Sequence, residues 1–183
     1  LYAGFDNPIT ISIPNTGQND VQASMSGGSL VSRGGGKFIA RPTSVGNPVT
    51  ISVSAKGRKI GEYKFRVRKL PDPAPYIAMG ADRFKSGALS KAALMSASGI
   101  HAAIDDGLLD IPFSVTSFRT VFFDNMGNAV PLASNGSQFS AQQKEQFRHL
   151  SRNKRFYITN VVVHGPDGTT RTLNGRNMEV IVQ

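Results

Sequence analysis

A few residues in this chain have types and spacings that chemistry uses. Gly34-Gly35-Gly36-Lys37 has the glycines and lysine of a phosphate-binding loop. Such a loop needs a first glycine five positions before the last one, and a hydroxyl after the lysine to hold magnesium. Val31 and Phe38 occupy those positions, so the segment is read as a strand connection. Ser151-Arg152-Asn153-Lys154 matches the Ser-x-x-Lys of serine acylases, but the companion Ser-Asp-Asn and Lys-Thr-Gly motifs are absent. Cations at a helix C-terminus complement the helix dipole, and that is the reading adopted. His101, His149 and His164 stand at no metal-ligand spacing. Asp105, Asp106 and Asp110 crowd together as calcium ligands do, yet the glycine and distal Glu of a calcium loop are misplaced. Asp105-Asp106-Gly107 is read as a turn. A glycosidase needs two carboxylates across a cleft, and no spacing marks such a pair. There is no cysteine, hence no disulfide, thiolate nucleophile or Cys-ligated metal. The chain is expected to be no enzyme, with no cofactor and no metal.

The formal net charge is +9, and residues 1–72 hold 10 basic and 4 acidic side chains. Such a balance suits an acidic partner, a nucleic acid or an anionic membrane surface, or simply a solvated face. A single-strand nucleic-acid binder needs aromatic platforms beside its basic groove. In Ile60–Arg68 the alternation sets Tyr63, Phe65 and Val67 opposite Lys64, Arg66 and Arg68, so these rings are expected in the core. Nucleic acid is therefore set aside as a partner.

The elements that must carry these residues are strands. Asn7-Pro8-Ile9-Thr10-Ile11-Ser12-Ile13 recurs as Asn47-Pro48-Val49-Thr50-Ile51-Ser52-Val53. Both copies alternate β-branched apolar residues with small hydroxyl residues, the period of a strand with one buried face. Val21, Ala23 and Met25 alternate likewise, Lys37–Ala40 follows the glycine loop, and Lys56-Gly57-Arg58 turns into Ile60–Arg68. Residues 1–70 are thus expected to be an all-β sandwich module. Residues 71–75 are expected to be a proline-rich linker, the end of the seven-residue stretch Lys69-Leu70-Pro71-Asp72-Pro73-Ala74-Pro75 with its prolines at alternate positions. Alternate prolines favour polyproline II, here a stiff spacer of about 20 Å.

Residues 76–183 are expected to form a β-rich module with short helices. Ser90 caps a helix to Ala97 with Gly99 ending it, and Ser140-Ala141-Gln142-Gln143 opens a second as a capping box. That second helix has a thin apolar face, Phe147 and Leu150, with Phe139 just outside. Ile100–Ile104, Phe113–Phe123, Arg155–His164 and Asn177–Gln183 are the main strands, and Pro166-Asp167-Gly168 turns back onto Thr169–Leu173. The fold class is mainly β: two consecutive β-sandwich-like, Ig-like modules, the second with one or two short helices. No run reaches the 18 or so apolar residues of a membrane span, and the chain opens at Leu1 without Met. It is expected to be a fragment of a longer protein.

Several stretches resemble the C-terminal part of the PorM/GldM family. They are Ala97-Ser98-Gly99-Ile100-His101-Ala102, Phe113-Ser114-Val115-Thr116-Ser117-Phe118, and above all Gly165-Pro166-Asp167-Gly168-Thr169-Thr170-Arg171-Thr172-Leu173. Pro75-Tyr76-Ile77-Ala78 also fits, and Leu1-Tyr2-Ala3-Gly4-Phe5-Asp6-Asn7-Pro8 resembles the preceding domain. The resemblance implies a structural, energy-coupling periplasmic subunit of the Bacteroidetes type IX secretion system or gliding machinery. It implies a homodimer anchored in the inner membrane by an N-terminal helix that pairs with PorL or GldL. It also implies C-terminal domains that meet the outer-membrane-associated PorK–PorN (GldK–GldN) ring. On that footing Arg152, Lys154 and Arg155, with Arg171 and Arg176 near the last hairpin, are expected to face an acidic surface on the ring. The alternatives are a carbohydrate- or ligand-binding β-sandwich of a surface or secreted protein, and a hydrolase with an unmarked carboxylate pair.

Overall fold

Period-two alternation builds both halves of the molecule. The computed structural model describes residues 1–183, and the chain divides into two compact units, Leu1–Leu70 and Pro71–Gln183. The first unit holds β1 (Asn7–Thr10), β2 (Val21–Met25), β3 (Gly28–Gly34), β4 (Lys37–Pro42), β5 (Val49–Ala55) and β6 (Arg58–Phe65). They form two three-stranded sheets, in the orders β1-β4-β3 and β2-β5-β6, with antiparallel ladders throughout. Val21, Phe38, Ile51 and Val53 fill the space between the sheets.

The repeated strand is used once in each sheet. In β5 the copy is central, and Val49, Ile51, Val53 and Ala55 are all buried. In β1 it is an edge, where Ile9, Ile11 and Ile13 are only half-buried against the core. This copy leaves its ladder at Thr10, short of the expected Ile13. Thr10 pairs with Lys37, the first residue of β4, so the partner strand runs out there. Strand β3 had no sequence signature: it is an edge with a mostly exposed burial pattern, so there was little alternation to read.

The two Asn-Pro pairs do different work. Asn7 is buried, accepts from the Tyr2 N–H at 2.8 Å, and donates to the carbonyls of Phe5 (2.8 Å) and Tyr2 (2.9 Å), with that of Ala40 at 3.1 Å. Asn47 is exposed in its loop. Asn7→Ala strands several backbone groups and is expected to cost about 1–3 kcal/mol. Asn47→Ala, an exposed change, is expected to stay within about 0.5 kcal/mol. Urea unfolding of the two variants measures the difference.

The second unit contains β7 (Ala74–Met79), β8 (Asp82–Phe84), β9 (Gly87–Leu89), α1 (Lys91–Ser96), β10 (His101–Asp105), β11 (Asp110–Phe123) and β12 (Ala129–Asn135). It continues with α2 (Ala141–His149), β13 (Arg155–His164), β14 (Thr170–Thr172) and β15 (Met178–Val182). The strands run β8-β7-β10-β11-β13-β15-β9, with β12 on β11 and β14 on β13. Only β15 and β9 pair in parallel. The chain is mainly β with two short α-helices, and no helix is long and apolar enough to cross a membrane.

Strand β11 is long enough to serve several neighbours. Its first residues pair with β10, while Ser117–Phe123 pair with β12 and Ser114–Val121 with β13. Its buried side chains are Ile111, Phe113 and Val115, then Phe118, Thr120 and Phe122. The alternation changes phase between Val115 and Phe118, where the β11–β13 register slips. An extra residue turns the strand's buried set to the other face, as a bulge must. Opposite, Asn160 takes a left-handed φ of 50° inside β13. Asn is among the few non-glycine residues that tolerate this region.

Phenylalanines fill the core beneath α2. Phe122 stacks on Phe156 at 5.0 Å, and Phe147 meets Phe139 edge-on at 4.9 Å. The capping box forms as the sequence indicates: the Gln143 N–H donates to the Ser140 hydroxyl, and the Ser140 N–H donates to Gln143 Oε1. Gln143 is also fully buried and donates from Nε2 to the Leu132 carbonyl at 3.1 Å. The apolar face of α2 is thin because this satisfied amide takes up part of it.

Two expectations need correction. Gly99 does not end α1: Ala97, in extended conformation, does so. Gly99 instead faces Gln138 across an antiparallel bridge. The proline stretch is also no free spacer. Ala74 and Pro75 belong to β7 and pair with Ala103 and Ala102, and Pro73 and Pro75 are buried. Pro73 and Pro75 are thus seated in the second unit, while Pro71 stays exposed.

Candidate interaction surfaces

Five basic residues were expected to share a surface, and the structure separates them. Arg152, Lys154 and Arg155 lie in and after the turn from α2 to β13, all exposed. Asn153 is left-handed at φ 66° and donates its N–H to the Val182 carbonyl at 2.7 Å, and Lys154 N–H donates to Ser151. Ser151 and Lys154 are thus parts of a turn. Arg155 pairs with Glu179 at 2.8 Å, which also accepts from the Tyr157 hydroxyl. Arg155 stands opposite Ile181 in the β13–β15 ladder, whereas Arg176 precedes the other end of β15. Arg176 is exposed beside a shallow cavity shared with Lys85 and Pro75.

Arg171 belongs to the interior. Its guanidinium is only 5% exposed and bonds Asp167 at 2.6 Å and Asp72 at 2.9 Å. It also donates to the Pro71 carbonyl (2.9 Å) and the Thr169 hydroxyl (3.0 Å), and lies 5.3 Å from the Phe113 ring centre. The Asp167 carboxylate is buried and accepts from the Thr169 N–H and hydroxyl. Burial pushes the Asp167 carboxyl up, but bonds from Thr169 and Arg171 outweigh it and hold the group below the usual carboxylate range. Gly165 permits this closure, since a Cβ there would lie 2.5 Å from the Phe113 ring and 2.6 Å from Asp167 Oδ1. Arginine suits the place because its planar fork binds two carboxylates and a ring face together.

The acidic turn is also internally committed. Asp105 pairs with Lys85 at 2.7 Å and Arg83 at 3.2 Å, and Asp110 with Arg83 at 3.1 Å. Lys85 foremost, with Arg83, holds the Asp105 carboxyl below its ordinary range. Asp106 accepts from the N–H groups of Leu108 and Leu109, which makes it a turn cap. The histidines lie apart: His101 stacks on Tyr76, His149 meets Glu145, and His164 meets Thr170. Gly35-Gly36 is the turn joining β3 to β4, and with Gly34, the last residue of β3, all three are in left-handed conformation.

One apolar surface was missed. Between the edges β1 and β6 of the first unit lies an open cavity of about 330 Å³. Ile9, Ile11 and Ile13 form one wall, Ile60, Tyr63 and Phe65 the other, and Ile51 and Val53 lie at the floor. Tyr63 was expected in the core but is 52% exposed, and Ile60 is 48% exposed. The reason is position: Tyr63 is on the buried-face register, opposite Ile51, but on an edge strand whose facing strand stops short. A register slip after Val53 puts Ile60 on the same wall. Alternation in sequence reports which face a residue takes, and is silent on whether anything covers that face.

Comparison with known proteins follows the division into units. A family model described as the GldM third domain matches residues 1–68, and one described as the GldM C-terminal domain matches residues 71–183. No curated protein matches. Among solved structures, the chain aligns with that of Yersinia pseudotuberculosis InvD at 10% identity and a TM-score of 0.20. The alignment covers 88% of this chain and 57% of that one. At that TM-score the likeness supports nothing about fold or function.

Proposed function

The chain belongs to the GldM family, and from that membership we propose that it is the part of a type IX secretion or gliding subunit that transmits force to the outer-membrane side. The observation that carries the reading is the order of the two matches, third domain then C-terminal domain, over nearly the whole chain. The family is a structural component of secretion machinery. Its domains are periplasmic parts of a membrane-anchored subunit. In the finer reading, this protein works as a homodimer joined through its N-terminal helix to PorL or GldL. Its C-terminal unit then meets the PorK–PorN (GldK–GldN) ring. The build of the second unit suits a mechanical part. Its Arg171–Asp167 pair is buried and its proline segment pairs into the fold, which supports that reading.

Arg152, Lys154 and Arg155 are the proposed ring contact, because they lie within four positions of one turn and are exposed and basic. Arg176 is a separate site, and Arg171 is withdrawn from the surface. The test is capture of ring proteins from a Bacteroidetes cell envelope by the immobilised chain. Arg152→Glu with Lys154→Glu and Arg155→Glu is expected to lower recovery about tenfold and to abolish its salt sensitivity. Arg176→Glu is expected to change recovery less than about twofold. Unchanged capture by the triple variant rejects the contact, and no capture by the unaltered chain rejects the ring as partner.

A further inference from the structure

We propose that the first unit takes up an acidic, extended segment of a partner protein as an added strand on β6, with its apolar side chains in the cavity between β1 and β6. The inference is independent of the ring contact and lies in the other unit.

Three observations carry it. Within residues 1–183, β6 pairs only with β5, and no backbone group of Arg58–Lys64 is bonded on the other side. The continuation of this edge at Arg66–Arg68 does take a strand, since Leu1–Ala3 pair with it in parallel. The Leu1 amino group donates to the Arg66 carbonyl, the Arg68 N–H to Leu1, and the Ala3 N–H to Arg68. The cavity beside this edge then offers apolar walls to alternate side chains of an added strand, as strand-addition sites do.

Charge selects the occupant. Residues 1–70 hold ten basic side chains and three acidic ones. Of the acidic ones, Asp6 is paired with Arg41 and Glu62 with Lys59. Arg58, Lys59, Lys64, Arg66 and Arg68 are all exposed along and just beyond β6. A second copy of β6 would bring these cations against one another, which disfavours self-pairing. An acidic strand would be attracted by the same residues.

The probe is a blocked, fluorescein-labelled peptide of about nine residues alternating Glu and Val, titrated into the 183-residue chain. The control peptides carry Lys for Glu, or a central Pro that cannot donate to a ladder. Anisotropy gives the affinity, and amide chemical shifts locate the contact. The Glu peptide is expected to bind at least tenfold more tightly than either control, more weakly in high salt, with shifts confined to residues 58–64 and 9–13. Ile60→Ser or Tyr63→Ser is expected to weaken it at least tenfold. Both side chains are half exposed, so the fold should survive. Lys59→Glu with Lys64→Glu should weaken the Glu peptide while leaving the walls intact. Equal binding of the Lys peptide, or none at all, overturns the proposal. So does concentration-dependent dimerisation that Tyr63→Ser abolishes, which would make the occupant a second copy. Loss of peptide binding in a chain extended ahead of Leu1 overturns it too, since the occupant would then be internal.

Discussion

Arg171→Ala is expected to destabilise the second unit by roughly 3–5 kcal/mol, the cost of leaving a buried charge without its partner. The magnitude follows from exposure. Asp167 is 2% exposed, so its carboxylate cannot exchange Arg171 for water. Asp72 is half exposed and loses little by solvation. The damage therefore concentrates on Asp167 and on the Pro71 carbonyl. For a domain of this size about 4 °C of Tm is lost per kcal/mol, which calorimetry resolves easily. Arg171→Lys keeps the charge but not the fork, and should recover only part of the loss. The double variant Asp167→Ala with Arg171→Ala should cost clearly less than the two single changes summed. Strict additivity would show that the pair is not coupled.

The same knot has a pH signature. The Asp167 carboxyl is depressed in the folded protein, so its ionised form is favoured there. Its stabilising contribution is present above the unfolded carboxylate value, about 4, and is lost as pH falls through the lower folded value. The stability gap between wild type and Asp167→Asn should be widest near neutral pH and should narrow as pH falls below the ordinary carboxylate range. A gap that widens on acidification would contradict the assignment.

Arg171 also shows what the sequence could and could not convey. The strands were legible because alternation maps onto the pleat: Arg155–His164 has the bounds read from its pattern. The capping box at Ser140 was legible because its two bonds are local. Gly165–Leu173 stood out as a family signature, and its arginine was taken for a surface cation. What decides its role is Asp72, 99 positions away, together with Phe113 beneath it. No local pattern encodes that meeting. Tyr63 failed for the converse reason, since alternation named its face correctly but could not show that the facing strand ends early. The phase change in β11 lay in plain view as Val115 followed by Phe118, and is the signal by which a bulge can be found from sequence.

Gly99→Val is expected to be strongly destabilising. Gly99 has no left-handed backbone, so the requirement is space rather than φ. A Cβ there would fall inside contact distance of the Ser137 carbonyl oxygen, and 2.8 Å from both the Ser137 carbonyl carbon and Gln138 Cα. These are backbone atoms and cannot rotate away. The two segments would have to part. The Ile100 N–H bond to Ser137 (2.8 Å) and the Phe139 N–H bond to Ser98 (2.9 Å) would go with them. Ile100 and Phe139 are buried, and Phe139 is packed edge-on against Phe118 and Phe147, so the disturbance reaches the aromatic core. Overpacking and two lost bonds together give on the order of 3 kcal/mol or more. Gly99→Ala already places the offending atom and should account for most of the effect, with valine adding less. A helix-terminating glycine would behave differently: Asn, which tolerates left-handed backbone, would rescue it. Gly99→Asn should instead be as damaging as Gly99→Ala, and thermal unfolding of the three variants separates close approach from a capping role.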